Sequence, residues 1–267
     1  MITRLFFIGQ DRIDDAVQTL KYDHMITDIG HTKIYYGPID ENLDWILPLL
    51  QEKGIDTSTF SVHNDAELRN KLPKHLVKNF YTYGGWVSQQ IIKLLAIDSC
   101  EDEFILVQDC DTYLLKPHIF FNRFSDPVPM VIKNQTQHPH YYIFIEKILN
   151  IKRQTKDSFV TEFMPITKKV WTSMVHHIEH LHGEHWIKAI FNIFEEMADI
   201  HSPLEKGLPR MTMFSEYELL GNWQLHQYQK LELTNQLRFH SNKVDLSVHE
   251  RYNVYCIKPD DTWKIYE

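Results

Sequence analysis

Along the first half of the chain, apolar and polar residues follow two different periodicities, one typical of strands and one typical of helices. Short apolar stretches predict strands at 4–8, 32–36, 59–62 and 104–108. Longer stretches with helical spacing predict helices at 12–21, 43–51, 74–80 and 83–97. Strands that alternate with helices favour the α/β class, with a mostly parallel central sheet flanked by helices.

After residue 117 the pattern becomes less regular. Strands are predicted at 131–133, 159–163, 237–240 and 254–257, and helices over most of 166–197 and over 216–227. There is no Gly/Ser linker and no internal repeat. We therefore expect a single domain over 1–267, in which a nucleotide-type half at 1–117 carries a second half at 118–267 on the same sheet.

The apolar strand at 104–108 runs directly into two carboxylates, Asp109 and Asp111. Residues two apart in an extended segment point to the same side, so these charges repel unless a cation lies close to them. A hard divalent ion such as Mg²⁺ or Mn²⁺ suits carboxylate ligands and completes its shell with water and phosphate. The alternative is an Asx-type turn that ends the strand, with Asp111 capping the next segment of the chain.

The helix before this strand has two faces. One is apolar and packs on the sheet, and the other carries Trp86, Gln90 and Lys93. These groups could contact a nucleotide or a sugar beside the carboxylates. The alternative is a solvated face with a half-buried tryptophan.

The composition of the chain bears on its partners and on the compartment in which it works. The 267 residues are 43% hydrophobic and carry a net charge of −8, which argues against a nucleic-acid partner. The 3 cysteines lack metal-ligand spacing and indicate a reducing compartment. No stretch is long and apolar enough to predict a signal peptide or a transmembrane segment. We therefore expect a cytoplasmic protein, or one that lies on a membrane surface through a partner or a lipid substrate.

Four motifs, taken together, resemble a family of bacterial and viral glycosyltransferase-like proteins of the GT-A fold. In chain order they are GGWVSQQIIKL, VQDCDTYLLKP, SFVTEFMPITK and FSEYELLGNW. The resemblance spans about residues 83 to 223. It implies a nucleotide-sugar donor, most simply a UDP- or GDP-sugar, a Mn²⁺ or Mg²⁺ ion, and a glycan or lipid-linked glycan acceptor.

The resemblance also implies roles for single residues. Asp109 and Asp111 would hold the metal and through it the donor diphosphate, with His240 as a further metal ligand. The donor would also contact a second group of residues, which are Gly9, Asp11, Trp86, Gln90, Lys93 and Lys243.

Two glutamates of the second half are candidates for catalysis. Glu216 is a candidate general base or acceptor anchor, as an inverting transferase requires. Its alternative role is structural, because carboxylates are favoured at a helix N-terminus, here with Ser215 as the cap and Glu218 in the first turn. Glu162 interrupts an apolar segment and would bind either a sugar hydroxyl or a salt-bridge partner. The sequence leaves open whether the anomeric configuration is inverted or retained.

Two other functions compete with this one. His176, Glu179 and His180 fit His-x-x-Glu-His, a zinc-peptidase pattern, although a solvated histidine face explains the same residues. A GT-A-shaped binding protein without turnover is the other alternative. The intact pair Asp109 and Asp111 argues against it.

Overall fold

A five-stranded sheet organises the protein, in the order β3 (Phe60–Asn64), β2 (Ile29–Gly37), β1 (Ile2–Gly9), β4 (Phe104–Asp109) and β7 (Phe163–Thr167). The first four strands are parallel, and β7 is antiparallel to β4. The computed structural model describes residues 1–9, 11–37, 42–74, 76, 85–122, 126–135, 138–201, 214–228, 231–236, 238–241 and 253–257. The α/β class with a mostly parallel sheet, expected from the sequence, is confirmed.

Helices cover both faces of the sheet. In chain order they are α1 (Ile13–Leu20), α2 (Ile46–Glu52), α3 (Ala66–Arg69), α4 (Gly85–Ser99), α5 (Pro139–Leu149), α6 (Lys168–His182), α7 (Trp186–His201) and α8 (Glu216–Gln227). A single 3₁₀ turn, Asp23–Met25, follows α1. Among the described residues, no helix is long and apolar enough to cross a membrane.

The central strand β1 is buried on both sides, as parallel strands commonly are. Its residues Phe6 and Ile8 pack with α1 and α2 on one face of the sheet. Leu5 and Phe7 belong to the larger core on the opposite face, with α4 and the helices of the second half. This double burial explains why the sequence of β1 is a nearly continuous apolar run.

Two small sheets extend the carboxyl side of the structure. The first has the order β5 (Thr112–Leu114), β10 (Val254–Ile257), β9 (Arg238–Ser241). The second pairs β6 (Met130–Val131) with β8 (Thr234–Asn235). The first sheet begins one residue after Asp111, so the late strands of the chain are brought to the end of β4.

The strand expected at 159–163 is wrong, because the strand begins at Phe163. The preceding residues bend instead. The Glu218 carboxylate accepts hydrogen bonds from the Ser158 hydroxyl at 2.8 Å and from the Phe159 backbone N–H at 3.1 Å. Glu162 then adopts a left-handed backbone conformation with φ 58°. The Ser158 backbone pairs with Ile132 in an isolated bridge, but the next N–H, that of Phe159, is taken by a side-chain carboxylate, so the pairing does not continue as a strand.

The stretch 166–197, expected to be mainly helical, is mainly helical and contains α6 and the start and middle of α7. The α6 helix ends at Gly183, which has φ 66° and donates its N–H to the Glu179 carbonyl. Glycine adopts this left-handed conformation without steric cost. The α5 helix and β5 were not predicted, and most of the helix expected at 74–80 lies outside the described residues.

The α8 helix lies very close to the bend at residue 159. A Cβ atom added to Gly221 would overlap the Phe159 ring. We therefore expect Gly221→Ala to lower the free energy of unfolding by about 1–3 kcal/mol, as overpacking does. The thermal midpoint should fall by several degrees, since about 1 kcal/mol corresponds to roughly 2–4 °C in a domain of this size.

The matched control for this substitution is Gln227→Ala, at an exposed position of the same helix. It should change the midpoint little. Helix propensity alone favours alanine over glycine by about 1 kcal/mol. A raised midpoint for Gly221→Ala would therefore show that Phe159 moves aside without cost.

Candidate functional site at the carboxyl edge of the sheet

The Asp-x-Asp segment lies where the two central strands end. The β4 strand runs parallel to β1, with Asp109 level with Phe7, so the carboxylate pair lies beside the Gly9 end of β1. Ligands of open α/β sheets bind at this edge. The strand predicted at 104–108 is therefore present, and its charged end lies at the carboxyl edge of the sheet as the sequence indicated.

The backbone of this segment is held from two sides. The Thr19 hydroxyl of α1 donates to the Cys110 carbonyl at 2.7 Å, and the Cys110 side chain is buried in the core with α1. The Asp111 carbonyl accepts the Ile257 N–H at 2.7 Å. The two aspartates are thus fixed by an early helix and by the last described strand.

Lys93 joins Asp109 to Glu216. Its ammonium nitrogen lies 2.6 Å from Asp109 Oδ1 and 2.6 Å from Glu216 Oε1. It also lies 4.6 Å from the centre of the Tyr217 ring. In the same cluster the Gln90 side-chain oxygen accepts the Glu216 backbone N–H at 2.9 Å. Elements α4, β4 and α8 therefore meet around one buried cation.

The alternative that the polar face of α4 is exposed to solvent is wrong for two of its residues. Gln90 is 1% exposed and Lys93 is 2% exposed. The periodicity identified these residues as a separate face but could not show what covers them. The first turn of α8, from a distant part of the chain, packs on this face.

The charges in this cluster perturb one another. Burial raises the pKa of Glu216 above its usual value of 4.5, the nearby Lys93 ammonium lowers it, and Asp109 raises it. Burial alone would lower the pKa of Lys93, but Asp109 and Glu216 more than offset this, so its pKa is raised. The pKa of Tyr217 is raised well above 10.0, by burial first and then by Asp109 and Glu216. The lysine therefore stays charged and the two carboxylates share it.

Asp111 has a different cation, Arg12. Arg12 Nη2 lies 3.2 Å from Asp111 Oδ2, and the same guanidinium pairs with Asp15 of α1. The other oxygen, Asp111 Oδ1, accepts the Thr112 hydroxyl at 3.3 Å. Arg12 was not among the predicted site residues. The one sequence signal for it is a cation four residues after the predicted end of β1, at the edge where the carboxylates lie.

The two ion-pair groups share one feature. In each of them one cation serves two carboxylates. Within the part of the chain that the structure describes, Asp15, Asp109, Asp111 and Glu216 pair with two cations, Lys93 and Arg12. A surplus of carboxylates at a partly exposed edge favours binding of a further cation, and hard oxygen donors suit Mn²⁺ or Mg²⁺. Among the described residues, the Asp-x-Asp segment supplies two such oxygen donors and no group of three or more metal-binding side chains. The two carboxylates suit a divalent ion that completes its shell with water and phosphate.

Other predicted site residues lie around the same edge. Gly9 ends β1 and its carbonyl accepts the Arg12 N–H at 2.9 Å, while Asp11 is exposed. His240 lies in β9, level with Cys256 of β10, and Cys256 is level with Thr112 of β5. That register places His240 two strands from the residue that follows Asp111. The side chains of Trp86 and His240, and all of Lys243, lie outside the described residues.

The two remaining glutamates differ in their surroundings. Glu162 is 8% exposed, and its carbonyl accepts the Asp109 N–H at 3.2 Å, so its backbone is next to the site. Glu218 faces away from the site, toward Ser158 and Phe159. The cap expected at Ser215 is confirmed, since its hydroxyl accepts the Glu218 N–H at 3.3 Å.

The zinc-peptidase pattern is not favoured by its surroundings. His176 and His180 are exposed on α6, and the Glu179 carboxylate accepts the Trp186 backbone N–H at 3.3 Å. Within the described part of the chain, no group of three or more His, Cys, Asp or Glu side chains is arranged to hold a metal. Glu179 instead ties the start of α7 to α6.

A family model matches residues 54–263, which is about four fifths of the chain. The chain belongs to that family. It is described as a family of unknown function (DUF6492). No curated protein matches the chain in sequence. The DUF6492 match covers all four motifs that suggested a glycosyltransferase.

Solved structures of glycosyltransferases are similar to this chain at low sequence identity. Mouse xyloside xylosyltransferase 1, in its apo form, has a TM-score of 0.50 at 10% identity, covering 96% of this chain and 97% of that chain. The galactosyltransferase LgtC, in complex with donor and acceptor sugar analogs, has a TM-score of 0.44 at 10% identity, covering 97% and 87%. An active-site mutant of LgtC has 0.44 at 13%, covering 96% and 86%. The GT-A-like fold expected from the motifs is confirmed.

Removal of the shared cation should weaken the fold strongly. Lys93→Met leaves Asp109 and Glu216 without their cation, and loss of one partner of a buried ion pair costs about 3–5 kcal/mol. Denaturant unfolding should show this loss in the free energy of unfolding. The matched control is Lys147→Met, which breaks an exposed 2.7 Å pair with Glu196 and should cost about 0–1 kcal/mol. Equal losses in the two variants would contradict a buried role for Lys93.

The raised pKa of Glu216 gives the stability a pH dependence. The folded protein keeps this proton above the usual glutamate value of 4.5, where the unfolded chain releases it. The contribution of Glu216 to the free energy of unfolding therefore falls as the pH rises through that window. Relative to the wild type, Glu216→Gln should become steadily more stable as the pH rises from 4.5, as measured by denaturant unfolding. Exposed Glu52 supplies the control, Glu52→Gln, for which no such trend is expected.

Proposed function

We propose that this protein is a metal-dependent glycosyltransferase that moves a sugar from a nucleotide-sugar donor to a hydroxyl group of an acceptor. One observation carries the proposal. Asp109 and Asp111 end a central strand of a GT-A-like sheet, beside the end of β1, in a cluster where carboxylates outnumber cations. This is the edge at which α/β folds bind phosphorylated ligands.

Asp109, Asp111 and His240 are the residues that we propose hold Mn²⁺ or Mg²⁺. When bound, the ion would neutralise charge that develops on the leaving diphosphate. The register of β9, β10 and β5 supports His240 as a ligand, because it brings the backbone of His240 near the end of the Asp-x-Asp segment.

The chain's own residues would orient these ligands. Lys93, itself fixed between Asp109 and Glu216, holds the first carboxylate in place. We propose Glu216 and Glu162 as the groups that contact or deprotonate the acceptor. Burial raises the pKa of Glu216, which favours its acting as a proton acceptor, and the Glu162 backbone borders Asp109.

The donor would be a UDP- or GDP-sugar and the acceptor a glycan or lipid-linked glycan. Gly9, Asp11, Trp86, Gln90 and Lys243 are proposed donor contacts, of which Gly9 and Asp11 lie at the end of β1. We propose a cytoplasmic enzyme that meets a membrane only through its acceptor. The names of the xylosyltransferase and the galactosyltransferase agree with transfer of a sugar as the reaction class.

The substitution Asp111→Asn tests the proposal. It should abolish metal-dependent nucleotide binding while the protein stays folded, because the Asp111 side chain is partly exposed and, unlike Asp109, does not pair with the buried Lys93. Thermal shifts with UDP, GDP, CMP and dTDP, each with and without Mn²⁺, measure the binding. A ligand at about 100 times its Kd adds about 2.7 kcal/mol, which is a shift of several degrees.

The control is Asp14→Asn, which removes an exposed carboxylate from nearby α1. It should keep the metal-dependent shift. A wild-type protein that responds to none of the four nucleotides would overturn the proposed donor class. An Asp111→Asn variant that keeps the full shift would show that the site lies elsewhere.

A further inference from the structure

Arg12 lies at the junction between the first strand and the proposed metal ligands. It follows β1 by three residues, and its backbone N–H is fixed by the Gly9 carbonyl at 2.9 Å. Its guanidinium reaches across to Asp111, at 3.2 Å, and also pairs with Asp15. The backbone of Arg12 is therefore anchored while its long side chain spans the edge of the sheet.

The two cations of this edge differ in accessibility and in chemistry. The Lys93 side chain is 3% exposed and enclosed by Asp109, Glu216 and Tyr217, whereas the Arg12 side chain is 33% exposed. Lysine carries a compact point charge, but the planar guanidinium can bind two phosphate oxygens at once. Lys93 is thus built in as a fixed group, and Arg12 is the cation that can exchange its partner.

The Asp111 carboxylate cannot keep its ion pair with Arg12 unchanged while it also binds a divalent ion. Its Oδ2 is occupied by Arg12 and its Oδ1 by the Thr112 hydroxyl. A metal ion at this carboxylate would stand close to the guanidinium, and two positive charges at such a distance repel. An anion that bridges them removes the repulsion. A diphosphate group has the required negative charge and several oxygens.

We propose that Arg12 competes with the divalent ion for Asp111 and moves to the diphosphate of the donor when both ligands bind. Arg12 is then a donor-binding residue, and its change of partner makes the binding of metal and of diphosphate cooperative. The inference rests on the proposed function, because it takes the diphosphate from the nucleotide-sugar donor. It adds Arg12 to the residues of the Asp-x-Asp motif, and it adds a coupling between the binding of the metal and the binding of the diphosphate.

Isothermal titration calorimetry of two variants tests the proposal. Mn²⁺ alone is titrated first, and UDP and GDP are then titrated at saturating Mn²⁺. Arg12→Gln should bind Mn²⁺ alone about tenfold more tightly than the wild type, within the usual range of such couplings. It should bind UDP or GDP in Mn²⁺ about tenfold more weakly. Arg12→Lys, which keeps a charge but not the planar fork, should fall between the two.

The control is Arg69→Gln. Arg69 pairs with Asp65 at 2.8 Å next to the end of β3, two strands from β1, so its removal changes the same net charge at a carboxylate other than Asp109 or Asp111. Its affinities for Mn²⁺ and for nucleotide should equal those of the wild type. Every variant is measured in the same metal and nucleotide mixtures, so complex formation in solution cancels between variants.

The outcomes separate the two proposals. If the wild type binds UDP or GDP with Mn²⁺ and Arg12→Gln matches it in both titrations, the role of Arg12 is overturned and the proposed function stands. If Arg12→Gln weakens Mn²⁺ binding, Arg12 orients Asp111 for the metal and competition is overturned. If the wild type binds neither nucleotide, the proposed function fails, and the diphosphate part of the inference fails with it.

Discussion

The ion pairs of Lys93 with Asp109 and Glu216 are the interaction on which the candidate site depends. They join the consecutive elements α4 and β4 to α8, whose Glu216 lies 123 residues after Lys93 in the chain. Taking a charge out of water costs several kcal/mol even after the protein relaxes. Such a group persists only when its geometry is tightly constrained. The buried ammonium therefore fixes where the first helix turn of α8 lies relative to the end of β4.

Much of the first half could be predicted from local pattern. The strand at 104–108 is a short apolar run that ends in charge, and both its burial and the position of its charged end at the carboxyl edge of the sheet follow from that. The chemistry of α4 could be predicted only in part. Its polar face was visible in the periodicity, but the partner of Lys93 is Glu216, more than one hundred residues away. No local pattern carries that information.

Three features were predicted wrongly or missed, and in each the local sequence pattern was insufficient. Residues 159–163 resemble a strand in composition, yet Glu218 of α8 binds the backbone at Phe159, so long-range hydrogen bonds override local preference. Arg12 was overlooked because a lone arginine after a strand has no distinctive spacing. Its importance appears only when the fold brings Asp111 beside it. Helix α5 is apolar on most of its surface, which weakens the helical periodicity that would have identified it.

Cys110, between the two aspartates, bears on which metals this edge can select. A thiolate there would attract soft ions such as cadmium or copper(I). The thiol is instead packed with α1, and burial raises its pKa far above the usual 9.0, so it stays protonated. A protonated and enclosed sulfur is a poor ligand and a poor nucleophile. The inward turn of one side chain thus leaves only oxygen donors in this tripeptide and protects it from thiol-directed poisons.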